Sequence, residues 1–139
     1  MIIKRDIQDS IESLMFKGKI IIIYGARQTG KTTLVKEIRK KFLKNSIYFN
    51  CDEPDIREMF TNKNSTELDI NIKDKKLVIL DEAQRVKNIG ITLKLINDNF
   101  KKTQVIATGS SSFDLSNQIT EPLTGRKFEF ILYPFSIKN

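Results

Sequence analysis

The run Gly25-Ala26-Arg27-Gln28-Thr29-Gly30-Lys31-Thr32 matches the spacing G-x-x-x-x-G-K-[ST] in full. A phosphate group needs several backbone N–H donors aimed at it. Glycines let a chain curl tightly enough to supply them, and a helix that follows adds its positive end. Lys31 can then set its ammonium between the β- and γ-phosphates, and Thr32 can offer a hydroxyl to Mg²⁺. The candidate binding segment is therefore Gly25, Ala26, Arg27, Gln28, Thr29, Gly30, Lys31, Thr32 and Thr33. A chance match in a chain of this length is roughly one in two hundred. Arg27 is unusual in a position that such loops mostly give to small residues; it is read either as a phosphate or partner contact or as solvent-facing.

A second constellation is Leu77-Val78-Ile79-Leu80-Asp81-Glu82, two acids at the end of an apolar run. Asp81 is expected to hold Mg²⁺ through its hydration shell, and Glu82 to orient and deprotonate an attacking water. Alone the pattern is equally a strand ending in a solvated acidic turn; beside a complete phosphate loop the catalytic reading gains. Glu82 also argues against a small-molecule kinase, which needs no water-activating base. A GTPase is disfavoured because Asn62-Lys63-Asn64-Ser65 lacks the Asp of the guanine-reading Asn-Lys-x-Asp. Val105-Ile106-Ala107-Thr108-Gly109-Ser110 ends in hydroxyls. Ser110, and after it Thr108, is expected to face the γ-phosphate, unless the serines simply cap the next helix. Arg126 precedes the last strand and is expected to stabilise charge on the leaving phosphate, in cis or for a neighbouring subunit, the alternative being a surface turn. The catalytic candidates are thus Glu82, Lys31, Ser110 and Arg126, and the metal candidates Thr32 and Asp81.

These residues need strands to end where they stand. Ile7, Ile11, Leu14 and Met15 recur at helical spacing over residues 5–16, and Gly18 is read as the stop. Residues 19–24 form a β-branched run expected to be buried on both faces. Residues 31–43 read as a helix with Leu34, Val35, Ile38 and Phe42 on one face. Further strands are expected over 46–50, 76–80, 103–107 and 127–132. Helices are expected near 54–60, over 88–100 with Ile91, Leu95 and Ile96 inward, and from Ser110 to Asn117; residues 61–72 read as loop plus weak helix. Strands that alternate with helices imply an α/β fold with a parallel sheet, whose ligands bind beyond the carboxyl ends of the strands.

Composition narrows the chemistry. The 139 residues contain no histidine and one cysteine, Cys51. The usual zinc sites and Ser-His or Cys-His catalysis are excluded, as is an intrachain disulfide. This implies a reducing compartment, hence cytoplasm. No apolar run approaches the roughly 20 residues that span a bilayer, and Met1-Ile2-Ile3-Lys4-Arg5-Asp6 does not read as a signal peptide. The net charge of +7 favours a polyanion such as DNA, but the lysines look dispersed along the chain and fit a solvated surface as well.

Taken in order, Gly25 to Leu34, Ile47-Tyr48-Phe49-Asn50-Cys51-Asp52-Glu53-Pro54 and Val78 to Gln84 resemble prokaryotic AAA+ superfamily proteins related to the archaeal ATPase and signal-transduction NTPase clades. Ala107 to Ser112, Leu123-Thr124-Gly125-Arg126 and Leu132 to Ser136 continue the resemblance over nearly the whole chain. It implies a three-layer P-loop NTPase with a five-stranded parallel sheet in the order 5-1-4-3-2, and ATP as the nucleotide. Family members add a lid and a C-terminal domain beyond the last matching segment. Residues 1–139 therefore read as a single nucleotide-binding domain without them, with a separate domain, a protein partner or a second copy as expected partners. The functional expectation is Mg·ATP binding with hydrolysis. The alternatives are an ATP-gated binding module with little turnover, or a helicase-like DNA-associated lobe suggested by Asp81-Glu82-Ala83-Gln84.

Overall fold

Ile20, Ile21, Ile22, Ile23 and Tyr24 are all buried, and alternate side chains enter two separate cores. A strand can do this only if helices cover both faces of its sheet. The computed structural model of the chain describes residues 2–26, 29–110 and 112–133. Its elements are α1 (Ile2–Leu14), β1 (Ile20–Tyr24), α2 (Lys31–Arg39), β2 (Ser46–Asn50), α3 (Pro54–Phe60), α4 (Ser65–Ile72), β3 (Leu77–Asp81), α5 (Ile89–Asn99), β4 (Gln104–Gly109), α6 (Ser112–Ile119) and β5 (Lys127–Ile131). Short 3-10 helices cover Lys40–Asn45 and Ala83–Arg85.

The five strands form one sheet in the order β2-β3-β4-β1-β5, every pair parallel. This is the expected 5-1-4-3-2 arrangement written from the other edge. On one face Ile11 of α1, Met15 just after it, and Leu34, Val35 and Ile38 of α2 pack on Ile21, Ile23, Ile79 and Ile106. On the other, Phe60, Leu68, Ile72, Leu93, Ile96 and Ile119 from α3 to α6 pack on Ile20, Ile22, Val78, Leu80, Val105 and Ala107. Each fully buried isoleucine contributes about 1.5–3 kcal/mol of transfer free energy. Among the described residues no helix is long and apolar enough to cross a membrane.

Register aligns the rim that matters. Tyr24 pairs with Gly109, Leu80 with Ala107 and Asn50 with Asp81. The segments that follow β1, β3, β4 and β2 therefore leave the sheet side by side.

Several expectations shift. The helix expected over 31–43 stops at Arg39 and continues as the 3-10 segment, which kinks at Phe42 (φ −135°), and Phe42 is only half-buried. Ile91 is 57% exposed, contrary to its expected inward place: α5 starts after left-handed Asn88 and buries the stripe of Ile89, Leu93 and Ile96. β4 runs two residues past its expected end, which takes Thr108 into the strand. Asp81 likewise closes β3. Residues 65–72 form a full helix, begun by a reciprocal capping box between Asn64 and Glu67.

Candidate functional site

The loop after β1 begins at Gly25, whose N–H donates to the Gly109 carbonyl (3.1 Å). Gly30 ends it at φ +91°, a left-handed conformation that glycine takes without strain, and α2 starts at the next residue. The first turn of α2 thus points its N–H groups into the loop's hollow. Thr29 closes the turn through its hydroxyl to the Ala26 carbonyl (2.7 Å). Lys31 is buried, and its ammonium donates to the carbonyls of Gly25 (2.7 Å) and Ala26 (3.1 Å). It also lies 3.9 Å from a Glu82 carboxylate oxygen. Gln28, a candidate of the binding segment, and Arg27, read as a phosphate or partner contact or as solvent-facing, lie outside the described residues.

Asp81 ends β3 with its carboxylate fully engaged. Oδ1 accepts from the Thr108 hydroxyl (2.5 Å); Oδ2 accepts from Thr32 (2.7 Å) and Tyr48 (2.5 Å). The two expected metal residues, Thr32 and Asp81, are therefore in direct contact across the gap between α2 and β3. Burial, and then the hydrogen bond to Asp81, push the Tyr48 hydroxyl well above its ordinary value, so it is a permanent donor. Lys36 lies over the Tyr48 ring, 5.0 Å from its centre.

Glu82 turns the chain out of the sheet. Its backbone is left-handed (φ +58°), which aims its side chain away from the direction Asp81 takes. Such a conformation is costly for a side-chain-bearing residue and is held here by the Glu82 N–H donating to Thr108 Oγ1 (3.0 Å). Gln84 then holds Glu82 from the other side. Its Nε2 donates to Glu82 Oε1 (2.9 Å) and to Ser110 Oγ (2.9 Å).

The structure thus gathers Lys31, Thr32, Thr33, Asp81 and Glu82 around one cavity of about 480 Å³, which Lys36, Tyr48, Asn50 and Asp52 also line. Ser110 reaches the group through Gln84, while Thr108 touches both acids directly, reversing the order of preference between the two. Arg126 is not brought to the site. Ile20 pairs with Lys127, and the Ile20 N–H donates to the Arg126 carbonyl, so Arg126 stands at the amino rim. At about 3.3 Å per residue it is roughly 20 Å from the phosphate loop. Its guanidinium pairs with both Asp98 oxygens (3.0 and 3.3 Å), and that contact holds the Asp98 carboxyl below its ordinary range. A role for Arg126 in cis is therefore corrected: it ties β5 to α5. Tyr48 and Gln84 are the residues that the motifs did not assign to this site. Both stand in segments that carry the AAA+ resemblance, Tyr48 on the strand next to the acidic one and Gln84 also in the helicase-like string, but no motif gave either a role.

The donor set suits a hard cation. A carboxylate and a hydroxyl in contact, with room beside them for waters and phosphate oxygens, are what Mg²⁺ takes; among the described residues no cluster of three or more His, Cys, Asp or Glu competes for a softer metal.

The profile of the AAA domain family matches residues 17–139. Two uncharacterized proteins of Methanocaldococcus jannaschii are 32% and 33% identical, each over 99% of this chain. The chain spans 31% and 30% of their lengths. Among solved structures, a Walker-type ATPase of Pyrococcus abyssi superposes with a TM-score of 0.60 at 18% identity, covering 96% of this chain and 53% of that one. A chain of Drosophila ORC bound to DNA superposes with a TM-score of 0.63 at 10% identity, covering 94% and 89%. At these identities the two structures share the fold.

Proposed function

The chain belongs to the AAA domain family, and on that premise we propose that it binds Mg·ATP in the loop of residues 25–33 and hydrolyses it with Glu82 as the base. One observation carries the reading: the contact of Thr32 with the buried Asp81 sits beside the Lys31–Glu82 pair, at the mouth of a helix N-terminus. That is a phosphate cradle, a cation ligand set and a general base within one cavity.

In this mechanism the amides at the start of α2 hold the β-phosphate. Lys31 exchanges its two carbonyl contacts for phosphate oxygens. Thr32 turns its hydroxyl oxygen toward the cation, and Asp81 holds the cation's water shell. Mg²⁺, when bound, neutralises charge building on the phosphate oxygens. Glu82 accepts a proton from water as the water oxygen bonds to the γ-phosphorus and the bond to the ADP oxygen breaks. Gln84 keeps Glu82 aimed, and Ser110 keeps Gln84 aimed. On this reading residues 1–139 act as a nucleotide-binding domain, with ATP as the ligand and the cytoplasm as the site of action.

Phosphate release by wild type and Glu82→Gln tests the chemistry. Wild-type turnover, with loss of about a hundredfold or more in the variant and ATP binding unchanged, is expected for a general base. Equal rates in the two proteins contradict the role of Glu82; absent turnover in wild type with intact binding favours the ATP-gated module.

A further inference from the structure

We propose that the pocket at the amino rim of the sheet binds single-stranded nucleic acid, with lysines on its phosphates and Phe16 stacked on a base. The lysines that look dispersed in sequence are not dispersed in space. Lys19 precedes β1, Lys76 precedes β3, and Lys101 and Lys102 precede β4; all four line one cavity of about 530 Å³. None of the described residues lining it is acidic. A phosphate chain laid there meets a lining with four lysines and no acid; the carboxylate beside Lys101, that of Asp98, is already paired with Arg126. This suits charge neutralisation with counterion release.

The loops that carry these lysines are tied to one another. Gln104 N–H donates to the Lys76 carbonyl (2.9 Å), and the Thr103 hydroxyl donates to the Lys75 carbonyl (2.7 Å). The buried Gln104 amide reaches further: Nε2 donates to the Lys19 carbonyl (2.9 Å), and Oε1 accepts from the Phe16 N–H (2.7 Å). That last bond holds Phe16 at φ +63°, where a bulky side chain is strained, with the residue 42% exposed at the pocket. Its ring also meets that of Phe42, centres 5.6 Å apart. A strained backbone that presents an aromatic face among lysines fits a stacking platform for an unpaired base. A duplex keeps its bases stacked inside and could use only the lysines.

The pocket lies at the opposite rim from the phosphate loop, so its failure and the failure of the ATPase reading are separable. Fluorescence anisotropy of a labelled oligo-dT strand with the full chain tests it. Binding is expected to weaken about fiftyfold between about 50 and 200 mM salt, the slope of roughly four neutralised phosphates. Lys76→Gln/Lys101→Gln/Lys102→Gln should lower the logarithmic salt slope by about 2. Phe16→Ala should weaken binding about tenfold with the slope unchanged, and Phe16→Trp should restore it. ATP binding by every variant should match wild type. The proposal is overturned by oligo-dT binding that the triple substitution leaves untouched, by binding as tight to a duplex of the same length, or by release of the strand on adding Mg·ATP through direct competition.

Discussion

Thr108 donates to Asp81 and accepts from the Glu82 amide, so one hydroxyl fixes the direction of both acids. It has no solvent exposure. Thr108→Val preserves shape but leaves a buried carboxylate oxygen and a buried N–H short of a partner. The expected cost is about 1–3 kcal/mol in denaturant unfolding, with Thr108→Ser regaining most of it. The same substitution should raise the Mg²⁺ concentration needed for nucleotide binding, since Asp81 loses its fixed orientation; an unchanged requirement would reduce Thr108 to a structural role. Lys31→Ala removes a charge-assisted contact worth about 1.5–3 kcal/mol, and ATP titration should show binding lost while the chain remains folded. At this scale the sequence was legible wherever a motif fixed both residue type and spacing, as at Gly30, Lys31, Thr32 and Asp81. It was not legible where a side chain arrives from another strand. Tyr48 meets Asp81 only because β2 pairs with β3 in the register that sets Asn50 beside Asp81.

At the scale of elements, α4 depends on its first turn. Asn64 accepts from the Glu67 N–H (2.8 Å) and Glu67 accepts from the Asn64 N–H (2.9 Å). Asn64→Ala should lower stability by about 1 kcal/mol in equilibrium unfolding, at an unchanged denaturant slope. The sequence here reads as loop plus weak helix; the capping box at Asn64 and Glu67 makes residues 65–72 a full one. A buried thiol, Cys51, follows β2. Burial, then the nearby Asp81 and Asp52 charges, push Cys51 from 9.0 up to about 12. The unfolded chain releases that proton earlier, so above pH 9.0 folding stability should fall as pH rises through the interval up to about 12. Thermal melting of wild type against Cys51→Ala over that interval reads the effect: the variant should show the flatter dependence, and parallel curves would refute it. The strands themselves were legible because runs such as Ile20 to Ile23 satisfy two cores at once. The ends of α2 and β4 were not, because the stop at Arg39 and the extension to Gly109 follow from packing rather than local pattern.

At the scale of the molecule, a parallel sheet has two unlike rims, and the chain uses them differently. The carboxyl rim carries the phosphate loop, both acids and the hydroxyls; the amino rim carries lysines and Arg126. Which rim a residue reaches depends on whether it precedes or follows its strand. In sequence Arg126 reads as stabilising the leaving phosphate or as a surface turn, and it precedes β5; the lysines read as scattered because only strand pairing brings their loops together. Arg126→Ala should leave phosphate release within about twofold of wild type and cost at most about 1 kcal/mol of stability, the range of a part-exposed ion pair. A collapse of turnover at unchanged stability would return Arg126 to the chemistry. The central claim is that the loop at residues 25–33 and the acids at 81 and 82 grip one triphosphate with its cation. A crystal structure of the chain with Mg²⁺ and a non-hydrolysable ATP analogue tests that most directly. The expected density places the β-phosphate on the amides at the start of α2. It also moves the Lys31 ammonium off the Gly25 and Ala26 carbonyls and shows a cation held by the Thr32 hydroxyl, with Asp81 on its water shell. Lys31 still seated on those carbonyls under saturating ligand, with the cradle empty, would contradict it.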